Sequence, residues 1–340
     1  MRRSTRSLVL GLAALAVLAL AATATAAYTT PKLQVSYATG NVTRIIASAS
    51  NSDDATARAA IVIPNGSALT PSAPGTKVGT ARAQVSALAL GGALLPLAGD
   101  IIVAPPGAVP PASQTACIGP VTPQATFLLV LQAAGQTINL PAYVVPTSGA
   151  QQALGTSQLV FCLAPPDIPP AQGGATFGAK FLSADLTLNG VIGPVVQGAW
   201  VGFWTPWQAG NGQVNAAGTV ASPAVIAPGG LTLAGRKVRG QKRLSGRVTQ
   251  AGAGVAARVS VYGAVGRAAF RRLATVSANA SGSYAYAVSR RSKATRFQTR
   301  VVVAGRDSAA VCTQFGTLPV PCVNGTVSGF SATSRNVAVR

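Results

Sequence analysis

Apolar and polar positions alternate with a period of two along much of the chain, most clearly over residues 245–303. There Val259 and Val261 fall on one side of an extended backbone, and Arg258, Ser260 and Tyr262 on the other. This is the pattern of a strand with one buried face. The alternation returns at 273–276, 284–288 and 297–303. Asn279-Ala280-Ser281-Gly282 supplies a hairpin between two of these runs, because Asn and Gly tolerate positive φ.

Upstream, residues 32–37 alternate in the same way, and 59–64 form a short apolar run that ends in a Pro-Asn-Gly turn. Residues 86–99 are apolar and Leu-rich, but Gly91-Gly92 and Pro96 interrupt them as a helix. The Pro-rich stretch 105–111 reads as a stiff connector between two halves. Segments 126–132, 138–145 and 159–163 read as buried strands, followed by 178–188 and 198–207. Residues 217–230 give one last strand and a linker. The chain holds 37 Gly and 23 Pro in 340 residues, which suits short strands and frequent turns better than long helices. The prediction is an all-β protein, with a near-neutral, β-sandwich-like domain over 27–225, a linker at 226–230 and a second sandwich over 231–340.

Charge sharpens that division. The formal net charge is +21, but residues 28–230 carry six basic residues against five Asp, whereas 231–340 carry eighteen against Asp307 alone. A unit this basic is drawn to anionic surfaces, with a strength that falls as salt rises. Two clusters stand out: Arg236, Lys237, Arg239, Lys242 and Arg243, then Arg290, Arg291 and Lys293. One reading is attachment to an anionic cell-envelope polymer or another surface protein. The other is a solvated surface biased toward Arg. Nucleic acid fits the charge, but the chain has no RNA-type aromatic motif and reads as exported.

Export is inferred from residues 1–26. Arg2, Arg3 and Arg6 precede an apolar run, and Ala24-Thr25-Ala26 is a small-residue cleavage site, the layout of a signal peptide. An uncleaved anchor is the competing reading. After cleavage no transmembrane span is expected, and the location is extracellular or cell-surface. The four cysteines, Cys117, Cys162, Cys312 and Cys322, then imply disulfides. Proximity favours Cys117–Cys162 and Cys312–Cys322, one bridge per domain. Zinc lacks both a Cys-x-x-Cys pair and any His.

The chain has no His and no Glu, which removes His-based acid–base chemistry and the usual triads and dyads. Asp53-Asp54 reads as a solvated turn, and Asp167 has no evident partner. No Ser-x-x-Lys spacing occurs downstream of the signal. A non-enzymatic protein without cofactor or metal is expected. For recognition, Trp204 and Trp207 in the aromatic stretch 198–207 are candidates to stack on the sugar rings of a polysaccharide. Core packing is the alternative, and it is preferred for Trp200.

The residues Gly246-Arg247-Val248, the run 255–262, Leu273-Ala274-Thr275-Val276 and Ala280-Ser281-Gly282-Ser283-Tyr284 together resemble the carboxypeptidase-regulatory-like (transthyretin-like, bacterial Ig-like) β-sandwich modules. The resemblance covers 244–303, at the C-terminal end of what reads as an exported bacterial protein. It implies a seven-stranded Greek-key sandwich with no catalytic role of its own. The functional expectation is a scaffold or adhesion protein held electrostatically on an anionic envelope, with carbohydrate binding as the alternative.

Overall fold

Alternation along the first two thirds of the chain resolves into strands β1 (Lys32–Ala38), β2 (Val42–Ser48), β3 (Thr56–Ile63), β4 (Lys77–Ala87), β5 (Ala93–Val103), β6 (Ala125–Ala133), β7 (Gln136–Pro146), β8 (Ser157–Cys162), β9 (Ala179–Asn189), β10 (Gly198–Pro206) and β11 (Val220–Ile226). The structure is a computed structural model that describes residues 28–339 apart from 39–40, 71, 134, 194–197 and 227. The expected signal peptide lies outside the described residues. Among those residues no helix is long and apolar enough to cross a membrane.

The strands pair in the order β1-β2-β9-β4-β5-β6-β7-β8-β3-β10-β11, antiparallel throughout. The sheet curls until β1 lies against β11. Glycines permit one tight bend. A Cβ on Gly79 would sit 2.0 Å from the Thr187 carbonyl oxygen, and one on Gly99 would sit 1.8 Å from that of Val130. No other residue allows strands to approach that closely. Side chains on the concave face, among them Leu33, Ile45, Ile61, Ile101, Phe127, Leu129, Leu159, Leu186 and Trp204, form one buried cluster. Lys77, Thr80, Arg82, Gln84, Gln132, Thr137 and Asn139 face outward and are exposed. Along these strands the enclosure is therefore apolar inside and polar outside, the inverse of a porin wall.

The Pro-rich stretch 105–111 does not join two halves. It leads into helix α1 (Pro111–Ile118) and links β5 to β6, which are neighbours in one sheet (Ile101 opposite Leu129). Here α1 covers the convex face of β8, and Cys117 is bonded to Cys162 at the end of that strand. A second buried cluster under this cover contains Ile118, Tyr143, Val160, Val201 and Phe203.

Residues 229–303 build two further sheets from β12 (Gly229–Leu231), β13 (Ala234–Val238), β14 (Gln241–Gln250), β15 (Ala257–Ala264), β16 (Arg271–Ala278), β17 (Ser283–Ala287) and β18 (Arg296–Val303). In one sheet β14 is flanked by β12 and β13 on one side and by β17 on the other. In the second, β15 lies between β16 and β18. Leu244, Val248 and Tyr284 from the first meet Val259, Val261, Phe297 and Val301 from the second in the core between them.

The expected assignment of 231–340 to one unit meets a difference here. After β18 the chain returns to the first sheet, where β19 (Arg306–Asp307) and β20 (Thr326–Val327) extend its edge beyond β11, and α2 (Ala309–Gln314) packs nearby. It then crosses back, and β21 (Phe330–Thr333) and β22 (Val337–Ala338) both pair with β18. The Cys312–Cys322 bridge belongs to this excursion. It therefore sits against the barrel-like sheet, since the Ala221 amide donates to the Pro321 carbonyl at 2.8 Å. The two-residue strands lie here because Thr326 Oγ1 donates to the Leu33 carbonyl at 2.5 Å and closes the curl.

Candidate functional site

The first basic cluster is carried by the β13–β14 hairpin. Its turn, Arg239-Gly240, has positive φ at both residues (47° and 76°), the conformation that suits a two-residue hairpin. An Arg at the first of these positions departs from the usual Asn or Asp, and the geometry sets its side chain at the hairpin tip. Register places Arg236 directly opposite Arg243, and Lys237 directly opposite Lys242. Like charges facing each other across a ladder destabilise it, so two adjacent pairs of this kind are not explained by folding alone.

The second cluster joins the first at the same end of the sandwich. Arg243 pairs with Ala287 at the end of β17, and the Val288 amide donates to the Lys242 carbonyl at 2.9 Å. Lys242 Nζ donates to the Ala294 carbonyl at 2.6 Å, which fixes the turn that bears Arg290, Arg291 and Lys293. Except for the half-buried Lys242, all eight residues are exposed. Three salt bridges occur among the described residues, Lys32–Asp307, Arg44–Asp185 and Lys77–Asp100, and none involves either cluster. Asp307, the one carboxylate in 231–339, is thereby occupied away from the tip.

Register also gathers cations that sequence spacing left scattered. On the outer face of the second sheet, Arg258 is opposite Ser277, Arg272 opposite Tyr262, and Arg300 opposite Ser260. The Arg300 guanidinium stacks on the Tyr262 ring at 4.8 Å, and that of Arg296 on Phe270 at 5.2 Å. The available signal was that Arg258, Tyr262 and Arg300 all occupy polar positions of alternating strands.

The proposed sugar-stacking surface is corrected at Trp204. Its side chain is 1% exposed, lies in the core beside Trp200, and donates through Nε1 to Ser222 Oγ at 2.6 Å. β10 is an inner strand between β3 and β11, with Trp200 and Trp204 filling the concave side and Val201 and Phe203 the convex side. Both faces of the strand are covered, so no ring is open for stacking. Trp207, past the strand end, is half-buried with its Nε1 enclosed.

The aspartates also differ from expectation. Asp53 is 2% exposed. Its carboxylate accepts from the amides of Thr29, Thr30 and Ser50 at 2.9, 3.3 and 3.1 Å, and from both threonine hydroxyls. It is a structural hub that pins the start of β1. Asp167 accepts from the Gly210 amide and so ties the 163–178 loop to the 207–219 loop. Arg44 beside Asp185 holds that carboxyl below its ordinary value through a hydrogen bond. Burial pushes the Lys180 ammonium down, although its Nζ donates to the Asn51 and Asp53 carbonyls. Among the described residues no cluster of three metal-ligating side chains occurs.

The comparisons give no family to set beside this geometry. No family model matches the chain, and no curated protein or solved structure matches it either.

Proposed function

We propose that the chain is a non-catalytic exported scaffold or adhesion protein whose basic sandwich rests on an anionic cell-envelope polymer. The observation that carries this reading is the convergence of Arg236, Lys237, Arg239, Lys242, Arg243, Arg290, Arg291 and Lys293 at one end of the sandwich, with no carboxylate among the described residues paired to any of them. A polyanion laid across that end relieves the repulsion of the exposed Arg236–Arg243 pair and releases its own counterions. The two packed sheets are consistent with a carboxypeptidase-regulatory-like module, which we take as the sandwich's family by resemblance. The two disulfides are compatible with an oxidising, extracellular location.

The test is sedimentation of the full-length mature chain with cell-envelope fragments across a salt series. The expected result is strong retention at low salt that falls steeply as salt rises, and that weakens when Arg239, Arg290 and Arg291 are all changed to Ser. Retention that ignores both salt and these substitutions overturns the reading.

A further inference from the structure

Inside the curled sheet lies a partly open cavity of about 300 Å³, lined at one end by residues of the 163–178 loop. Its cause is legible in register. Ala47 on β2, Ala184 on β9 and Ala83 on β4 stand side by side across three adjacent strands, all lining the space. The opposing wall is bulky: Leu129 and Leu131 on β6, Ile138 and Leu140 on β7, and Phe161 on β8. Alanines at one level on one wall leave a gap that the large residues opposite do not fill. Consequently Ile138, Leu140, Val85 and Phe181 stay half-exposed, whereas inward residues nearer the closed end, such as Ile101 and Leu188, are buried.

The chemistry of the lining selects the occupant. Among the lining residues polar side-chain atoms belong only to Thr56, Thr176, Trp204 and the outward-facing Arg82; Thr56 already bonds Tyr28, and Trp204 Nε1 already donates to Ser222. No ordered set of donors and acceptors is present to orient a sugar, nucleotide or peptide, and a water there finds too few partners. The volume is at the small end of the range of about 300–1,000 Å³ for ligand sites. At the mouth, the turn between β4 and β5 presents Leu88 and Leu90, and the start of β5 presents Leu94; they are 47%, 50% and 56% exposed. The turn packs on residues 176–178, next to the lining residues Ala175 and Thr176. An apolar lip beside an apolar cavity suits a ligand taken from a membrane or micelle.

We propose that this cavity binds a single aliphatic chain, the acyl chain of a lipid, independently of the basic sandwich. The absence of polar anchors inside means that the chain is held, and the head group stays at the mouth.

The experiment is titration of the full-length mature chain with cis-parinaric acid, a fluorescent fatty acid, read by energy transfer from Trp204, which lines the cavity. Saturable one-to-one transfer is expected. Displacement by palmitic acid assigns the ligand to free fatty acids, and displacement by short-chain phosphatidylglycerol assigns it to phospholipid. Displacement by neither overturns the proposal. Ala83→Phe and Ala184→Leu each fill the gap, and each is expected to weaken binding by about tenfold or more while the protein remains folded by circular dichroism. Should Ala83→Phe fail to fold, the smaller Ala184→Leu decides. Wild-type affinity in a folded filling variant, or no saturable transfer in the parent, overturns the site. Leu90→Ser with Leu94→Ser is expected to slow uptake from vesicles without changing affinity for soluble fatty acid, and unchanged uptake removes the leucine lip from the proposal.

Discussion

Changing Arg243 to Glu separates folding from attachment, because it moves the two in opposite directions. Arg243 stands directly opposite Arg236 on an exposed ladder, with Arg247 four residues along the same strand. A directly opposed pair contributes roughly 0.2–1 kcal/mol, favourable for opposite charges and unfavourable for like ones. Inverting the sign at one partner therefore stabilises the hairpin by about 1 kcal/mol at low salt, an upper figure because both side chains are solvated. Calorimetry of the full-length chain should show the transition of the sandwich rising by a few degrees, with the gain shrinking as salt screens the pair. Envelope retention should fall in the same variant, since the tip loses two units of charge. A variant that is less stable at low salt refutes the repulsion assigned to the Arg236–Arg243 pair. A more stable variant that is retained as well as wild type refutes the assignment of attachment to the tip.

Three further outcomes concern stability. Asp53→Ala strands three part-buried amide donors and two hydroxyls, and it should cost about 2–3 kcal/mol in urea unfolding, with early loss of hydrogen-exchange protection in β1. Replacing Cys312 and Cys322 together with Ser opens a loop whose ends are 10 residues apart, and the urea midpoint should fall by the equivalent of about 3 kcal/mol. Burial raises the phenols of Tyr28, Tyr37, Tyr143 and Tyr284 above their ordinary value. Because the folded state favours the protonated form, their stabilisation is complete below the unfolded tyrosine pKa near about 10 and is lost as pH rises past it. Phenolate absorbance in the native protein should lag that of the free amino acid, and stability should drop only on the alkaline side.

Strand positions were legible because period-two alternation and short apolar runs are local signals: 32–37, 126–132, 138–145 and 297–303 fall on strands, as does 178–188 from residue 179 onward. Closure of the first sheet was not, because it depends on which glycines meet a neighbouring carbonyl, as Gly79 and Gly99 do. The excursion of 306–327 left no trace, since β19 and β20 are two residues each and too short to show a period. Trp204 misled for a related reason. A strand covered on both faces looks like one with an open aromatic face until its second neighbour is known. Asp53 looked like a solvated turn because its donors at residues 29–30 lie more than twenty positions away. The basic clusters were legible as charge, and the disulfide pairing followed from proximity, but the convergence of 236–243 with 290–293 required the register of β14 with β17.

The chain passes between the two bodies three times, between β11 and β12, between β18 and β19 and between β20 and β21, and Gln250 at the junction is buried, donating to the Ser328 carbonyl while its own oxygen accepts from Arg306. A single linker would let the sandwich swing like a weight on a cord. Three strands of backbone converging on one buried amide act instead as a bracket. Whatever surface the cationic tip settles on, the mouth of the neighbouring enclosure is then held at a constant height and tilt above it, and one proteolytic nick at any crossing leaves the bracket joined by the other two.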